Sequence, residues 1–135
     1  MSKITINTDG GSRGNPGPAA VGVVITWNDT ENEKDHKVIG VATNNQAEYQ
    51  ALLHACHLLK GKVKKGNELE FILDSELVVK QMRGEYKVKD KNLADLKKTI
   101  DKMLESFAVK ITFTHVKREK NKEADKLVNK ALDNA

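Results

Sequence analysis

The chain has one cysteine, one tryptophan and two prolines among 135 residues, and aromatics make up only 4%. The lone Cys56 excludes an intramolecular disulfide and favours a reducing compartment, so the expected setting is the cytoplasm. So few aromatic rings argue against a stacking platform for single-stranded nucleic acid. No apolar run is long enough to span a membrane, and the opening "MSKITINTDG" lacks the pattern of a signal peptide. Repeats, low-complexity tracts and internal linkers are also missing. What remains is ordinary for one globular domain, 39% hydrophobic and 31% charged, with enough length to build a core without staples. A net charge of +4 and a pI near 9.1 permit a polyanionic partner without demanding one.

The stretch "TINTDGGSRGNPGPAA" puts Asp9 at the end of an apolar run, ahead of four glycines and two prolines. It is not a phosphate loop. No Gly-Lys-Ser/Thr ending is present, and Pro16 and Pro18 remove backbone donors that a phosphate nest would need. Gly11, Gly14 and Gly17 do not give the dinucleotide fingerprint, and a strand, "AAVGVVITW", follows where that motif needs a helix. The loop therefore joins two strands, and Asp9 is the residue to explain.

Hydrophobic periodicity supplies the rest. "SKITINTD" alternates as a strand, "AAVGVVITW" is a more buried second strand, "NDTENEKD" reads as a polar turn and "HKVIGVAT" as a third strand. "NNQAEYQALLHACHLLKG" then carries a wide apolar helical face, with Asn44 or Asn45 to cap its start and Gly61 its end. "ELEFILD" is a fourth strand ending in Asp74, and "SELVVKQMRG" a short helix. "LADLKKTIDKMLESF" is a longer helix, "VKITFTHV" a fifth strand and "NKEADKLVNKALDNA" the last helix. The order βββαβααβα, with right-handed crossovers, predicts an α/β fold: a mixed five-stranded sheet with helices on both faces.

That topology gathers four acids at one rim. Asp9 and Asp74 end parallel strands, while Glu48 and Asp125 fall in first turns of helices that begin at the same edge. Open α/β sheets place ligands there. Without an Arg or Lys between them the acids repel. A set of hard oxygen donors lacking His and Cys calls for Mg²⁺ or Mn²⁺ rather than zinc. Two such ions can clamp an in-line displacement at phosphorus. Taken singly, each acid could instead begin a turn, cap a helix or answer a helix dipole.

Together "TDGGSRGNPGPAA", "TNNQAEYQALL", "LDSELVVKQM" and "NKEADKLVNKAL" resemble the type 1 ribonuclease H family, in the family's order and over nearly the whole chain. The resemblance implies one ribonuclease H domain over residues 1–135, with no appended hybrid-binding domain. It implies metal-dependent cleavage of RNA in RNA–DNA hybrids, with Asp9, Glu48, Asp74 and Asp125 as metal-binding catalytic carboxylates. Gly10, Gly11 and Ser12 match the loop that approaches the RNA, and Asn15, Thr43, Asn44 and Asn45 match groove and phosphate contacts. Hybrid recognition of this kind uses RNA 2′-hydroxyls, and glycines beside Asp9 would let a sugar-phosphate backbone come close.

Two departures accompany the likeness. "RGEYKVKDKN" passes directly between two helices where many members insert a basic handle, so modest affinity and a shallow salt dependence are expected. "HVKREKNKEAD" is shorter than the family's loop and holds Arg118 where many members carry a histidine. Arg118 is therefore a candidate phosphate contact.

Other residues attract simpler readings. His54 and His57 are assigned to the rim or core, Cys56 to packing as a small hydrophobe, and the lysines at 60, 62, 64 and 65 to a solvated turn. Lys117, Lys120 and Lys122 border the rim and are candidates for phosphate contact. The expected protein is a monomer that avoids membranes and takes RNA–DNA hybrid, with double-stranded RNA as a second candidate substrate. Competing readings are a catalytically silent nucleic-acid-binding domain and a DNA nuclease of the same architecture.

Overall fold

Ile4 and Ile6 are buried while Thr5 and Asn7, alternating with them, are half-buried, the period-two pattern of a strand with unlike faces. The computed structural model describes residues 3–27 and 31–135. The first strand, β1, is Lys3–Ser12, followed by β2 (Gly17–Trp27), β3 (Glu31–Ala42) and α1 (Asn44–Leu59). Then come β4 (Glu68–Leu73), α2 (Glu76–Met82), α3 (Lys91–Phe107) and β5 (Lys110–His115). A single 3₁₀ turn, Arg118–Lys120, leads into α4 (Lys122–Asp133). The sheet order is β3-β2-β1-β4-β5. β2 runs antiparallel to both β1 and β3, and β4 pairs in parallel with β1 and β5. The mixed five-stranded sheet expected from the sequence is the one that forms.

Two layers of unequal thickness cover it. On one face Ile4, Ile6, Val23, Ile25, Leu69 and Phe71 pack with residues of α1, α2 and α3. The Phe71 and Phe113 rings stack there at 5.3 Å between centroids. The Tyr49 hydroxyl donates to Gln81 Oε1 at 2.6 Å, so these two buried polar groups on α1 and α2 satisfy one another. On the other face α4 lies alone, with Val128, Ala131 and Leu132 against Ala20.

The structure corrects three local expectations. The polar stretch after β2 is not all turn: residues 31–35 belong to β3, while 28–30, like Ser2, lie outside the described residues. β3 is a sheet edge, where charged side chains are tolerated on both faces. Asp35 meets His54 at 2.7 Å and Glu33 meets Lys62 at 3.0 Å, whereas Lys34 reaches Glu123 of α4 at 2.9 Å. Thr43, not Asn44 or Asn45, caps α1. Its hydroxyl accepts from Gln46 N at 3.1 Å and Gln46 Oε1 accepts from Thr43 N at 2.8 Å, a reciprocal box that satisfies two otherwise orphaned donors. Glu48 therefore falls just past the first turn rather than within it. Finally, the glycine-rich loop shrinks to 13–16, because Gly10, Gly11 and Ser12 pair with Val21, Ala20 and Ala19.

Gly22 makes the α4 layer possible. A Cβ there would stand 2.4 Å from Ala124 O and 2.9 Å from Leu127 Cβ. Gly22→Ala should therefore lower stability by about 1–3 kcal/mol, the usual cost of overpacking a tight contact. Urea denaturation of the two proteins measures it, and an unchanged midpoint would show that α4 is free to retreat.

Candidate active site

β1 and β4 pair only as far as Asn7 and Ile72. Beyond that point the strands part, and the gap opens beside Asp9 on one strand and Asp74 just past the end of the other. β1 continues outward with β2 alone, where Asp9 pairs with Gly22. Asp9 is thus inside a strand rather than at its end, but it marks the end of the parallel pairing.

Two helices deliver the other acids to this gap. A Cβ on Gly10 would sit 2.1 Å from Ala47 O, and one on Gly11 would sit 3.3 Å from Val128 Cγ1. Gly10 therefore admits the backbone of α1 on one side, while Gly11 meets only a Val128 methyl of α4 on the other, and both glycines still line the pocket beside Asp9. With α1 this close, Gly10 N donates to Glu48 Oε1 at 2.5 Å, so the carboxylate is pinned to the strand.

Asp9, Glu48 and Asp74 each offer an oxygen within 4.8 Å of the others. Asp125 lies on the same open pocket of about 390 Å³, and its charge acts on both Asp9 and Asp74. Burial, reinforced by Asp74 and Asp125, pushes the Asp9 carboxyl up to about 7. Burial first, then the Asp9 charge, raises Glu48 well above its ordinary range. Asp74 is also raised, by burial and by Asp125, but the Arg118 guanidinium pulls it back. Arg118 is thus the cation that the sequence did not place among the acids. Glu48 Oε2 and Asp74 Oδ2 are buried without a hydrogen-bond partner, and orphaned carboxylate oxygens in a cluster of three acids are what a hard divalent cation would satisfy. The donor set fits Mg²⁺ or Mn²⁺ better than zinc, since no sulfur or imidazole joins it.

A sequence model of a family described as "Reverse transcriptase-like" matches residues 7–131. The crystal structure of LC11-RNase H1 in complex with RNA/DNA hybrid is 44% identical, covers 97% of both chains and superposes with a TM-score of 0.92. RNase H1 from Halobacterium salinarum is 40% identical over 98% of this chain and 99% of its own, with a TM-score of 0.90. A bifunctional protein of Mycobacterium tuberculosis is 42% identical over 98% of this chain, which spans 36% of that relative's length. The chain belongs to the type 1 ribonuclease H family.

The family's motif positions divide by location. Gly10, Gly11, Ser12, Asn44, Asn45 and Arg118 share the pocket wall with the four acids. Asn15 and Thr43 do not line it. Asn15 Oδ1 accepts from Asn44 N at 3.0 Å, and Asn44 Oδ1 accepts from Ser12 N at 3.0 Å, so Asn15 holds a wall residue in place, while Thr43 is engaged in capping α1. His54 is taken by Asp35, and burial pushes the Cys56 thiol up to about 12, which leaves both outside the chemistry, as expected.

Asn121 went unassigned in the sequence although it opens the "NKEAD" motif. It is 2% exposed, and its amide donates to Thr8 O at 2.9 Å while its oxygen accepts from Asn7 Nδ2 at 3.0 Å. It also begins α4, where Asp125 N donates to Asn121 O at 3.2 Å. One buried side chain thus joins the residues before Asp9 to the helix that carries Asp125. The available signal was an asparagine four residues ahead of an aspartate, which capping preference explains equally well.

The raised carboxyls set a pH dependence. Between about pH 4 and pH 7 the folded protein holds protons that the unfolded chain has released, so metal-free stability should fall as pH rises through that window. Asp9→Asn removes a principal contributor. The variant should match or exceed the parent at pH 7 and show a flatter dependence, each tenfold change in proton equilibrium being worth about 1.4 kcal/mol. Urea titrations in chelator at pH 4.5 and 7 test this; a variant less stable than the parent at pH 7 would mean that Asp9 serves a structural cap.

Proposed function

We propose that this chain is an endoribonuclease that hydrolyses the RNA strand of RNA–DNA hybrids, leaving 5′-phosphate and 3′-hydroxyl ends. The observation that carries the reading is the trio of carboxylates with two buried, partnerless oxygens, in a chain of this family. Asp9, Glu48 and Asp74, with Asp125 beside them, would hold Mg²⁺ or Mn²⁺, two ions when substrate is bound. The bound metal supplies Lewis acidity, activating water for attack at phosphorus and stabilising the departing 3′ oxygen.

The residues of the chain do the positioning. Glu48, fastened to Gly10 N, and Asp9, inside a strand, present fixed oxygens, so little reorganisation accompanies reaction. Gly10, Gly11, Ser12, Asn44 and Asn45 form the wall that would receive the strand bearing 2′-hydroxyls. The Arg118 guanidinium would draw a phosphate oxygen towards the acids and offset their repulsion. A lone buried cysteine suits a reducing, cytoplasmic setting, and no helix among the described residues is long and apolar enough to cross a membrane. The protein would act as a monomer. A catalytically silent reading would need a missing carboxylate, and all four are present.

Matched hybrid, double-stranded RNA and DNA, each incubated with Mg²⁺ or Mn²⁺, test the proposal. Hybrid should be cut, and Asp9→Asn and Asp74→Asn should each reduce cleavage to background while keeping the parent's circular dichroism. Cyclic 2′,3′-phosphate ends, or substantial activity in either variant, would overturn the mechanism.

For Arg118 the expectation is narrower. Arg118→Ala should lower kcat, and any change in the pH profile should be an upward move of its acid limb, because Asp74 loses the guanidinium that holds it down. Arg118→Lys should restore only part, since the planar fork of donors is gone. Unchanged kcat and KM would return Arg118 to the solvent-facing surface.

A further inference from the structure

Helix α4 carries acids and lysines in equal number, yet they do not cancel in space. Glu123 is taken by Lys34 at 2.9 Å and Asp133 by Arg13 at 2.5 Å, while Asp125 lines the pocket. Lys122, Lys126 and Lys130 are exposed, and among the described residues none of the three closes an ion pair within 4.0 Å. Spaced four apart, they stand on one face with a rise of about 6 Å per step.

Their direction follows from helical geometry. At about 100° per residue, Lys122, Lys126 and Lys130 lie roughly 60°, 100° and 140° round the axis from Asp125, all in the same sense. Asn129, also on the pocket wall, falls between Asp125 and this row. Ala124, Val128 and Ala131, which are buried, lie in the opposite sense. The helix therefore presents, in turn, a sheet-facing side, a catalytic lip and, just beyond the lip, a lysine row whose neighbouring acids Asp133 and Glu123 are held by Arg13 and Lys34, Glu123 also feeling the Lys126 charge.

We propose that this row is a backbone-tracking surface for a nucleic-acid duplex seated on the acids, gripping phosphates outside the cleavage pocket. The inference rests on the nuclease reading for its relevance but not for its chemistry. A strand carries one phosphate per roughly 3.4 Å of duplex axis, so lysines about 6 Å apart can meet about every second one. Such contacts position a duplex without reading bases, and they leave the reacting atoms untouched.

The test is a triple substitution, Lys122→Gln, Lys126→Gln and Lys130→Gln, with Lys→Arg at the same three sites as the charge-retaining control. Metal-free binding to hybrid, double-stranded RNA and DNA duplex is titrated across salt, beside steady-state cleavage of hybrid with Mg²⁺. The glutamine variant should lose about 2 to 3 from the magnitude of the log–log salt slope, at about 0.9 per phosphate on DNA duplex. KM should rise with kcat unchanged, and the arginine variant should behave as the parent. Removing Lys60, Lys64 and Lys65, beyond the far end of α1, should leave the slope alone.

If the parent cleaves hybrid and the glutamine variant keeps its slope and KM, the row is solvent-facing only and the proposal falls while the nuclease stands. A lowered slope in a parent background that cuts nothing keeps the row and removes the nuclease. Failure of the parent to bind any duplex overturns both.

Discussion

The backbone of α1 approaches β1 so closely at Gly10 that any side chain there would overlap Ala47 O. The site depends on that contact. It brings Glu48 within hydrogen-bond distance of the strand and next to Asp9, and it aligns the start of α1, with Asn44 and Asn45, along the pocket. Gly22 does the same for α4 on the other side of the sheet, where Gly11 adds a contact with the Val128 side chain. Gly10 and Gly22, without Cβ, therefore set how closely the helices carrying Glu48 and Asp125 approach the strand pair that carries Asp9. A glycine where two backbones meet is a packing requirement before it is anything else.

Close approach has an electrostatic cost that the fold leaves standing. Buried carboxyls facing one another favour protonation, and Asp9 and Glu48 are raised accordingly. Arg118 leans the other way on Asp74, with a smaller pull from His115, and the Gly10 N–H does so on Glu48. A site that is strained when empty gains most from a divalent cation, so the same repulsion that lowers stability strengthens metal binding. Local strain of this kind belongs at functional sites, where the rest of the structure holds it in place. Here the holding is done by the α1–α3 core, by Asn121 and by the ion pairs of Lys34 and Arg13 with α4.

The division of the sheet into a thick and a thin layer gives each acid a different footing. Asp9, Glu48 and Asp74 belong to elements anchored in the large core and form the tight trio. Asp125 rides on α4, which has few buried apolar residues of its own, and stands beside the trio rather than within it. The chain's basic balance is likewise uneven in space, since the acids of α4 are engaged while its lysines face solvent.

Much of this was written in the linear pattern. Period-two alternation in "SKITINTD", period 3.6 after Asn44 and the spacing of connections determined the element order, and the order with right-handed crossovers determined that four acids share an edge. Family motifs carried the same acids independently. Tertiary structure alone decided the rest, because the deciding contacts join residues far apart in the chain. The polar residues 31–35 became strand because β3 falls at an edge, where polarity costs little. Gly10 proved to be shaped by α1, Arg118 to lie beside Asp74, and Asn121 to bridge Thr8 and Asn7 across 113 and 114 residues. Periodicity reports which face a side chain takes within its own element; what that side chain meets is fixed only when a second element packs against it.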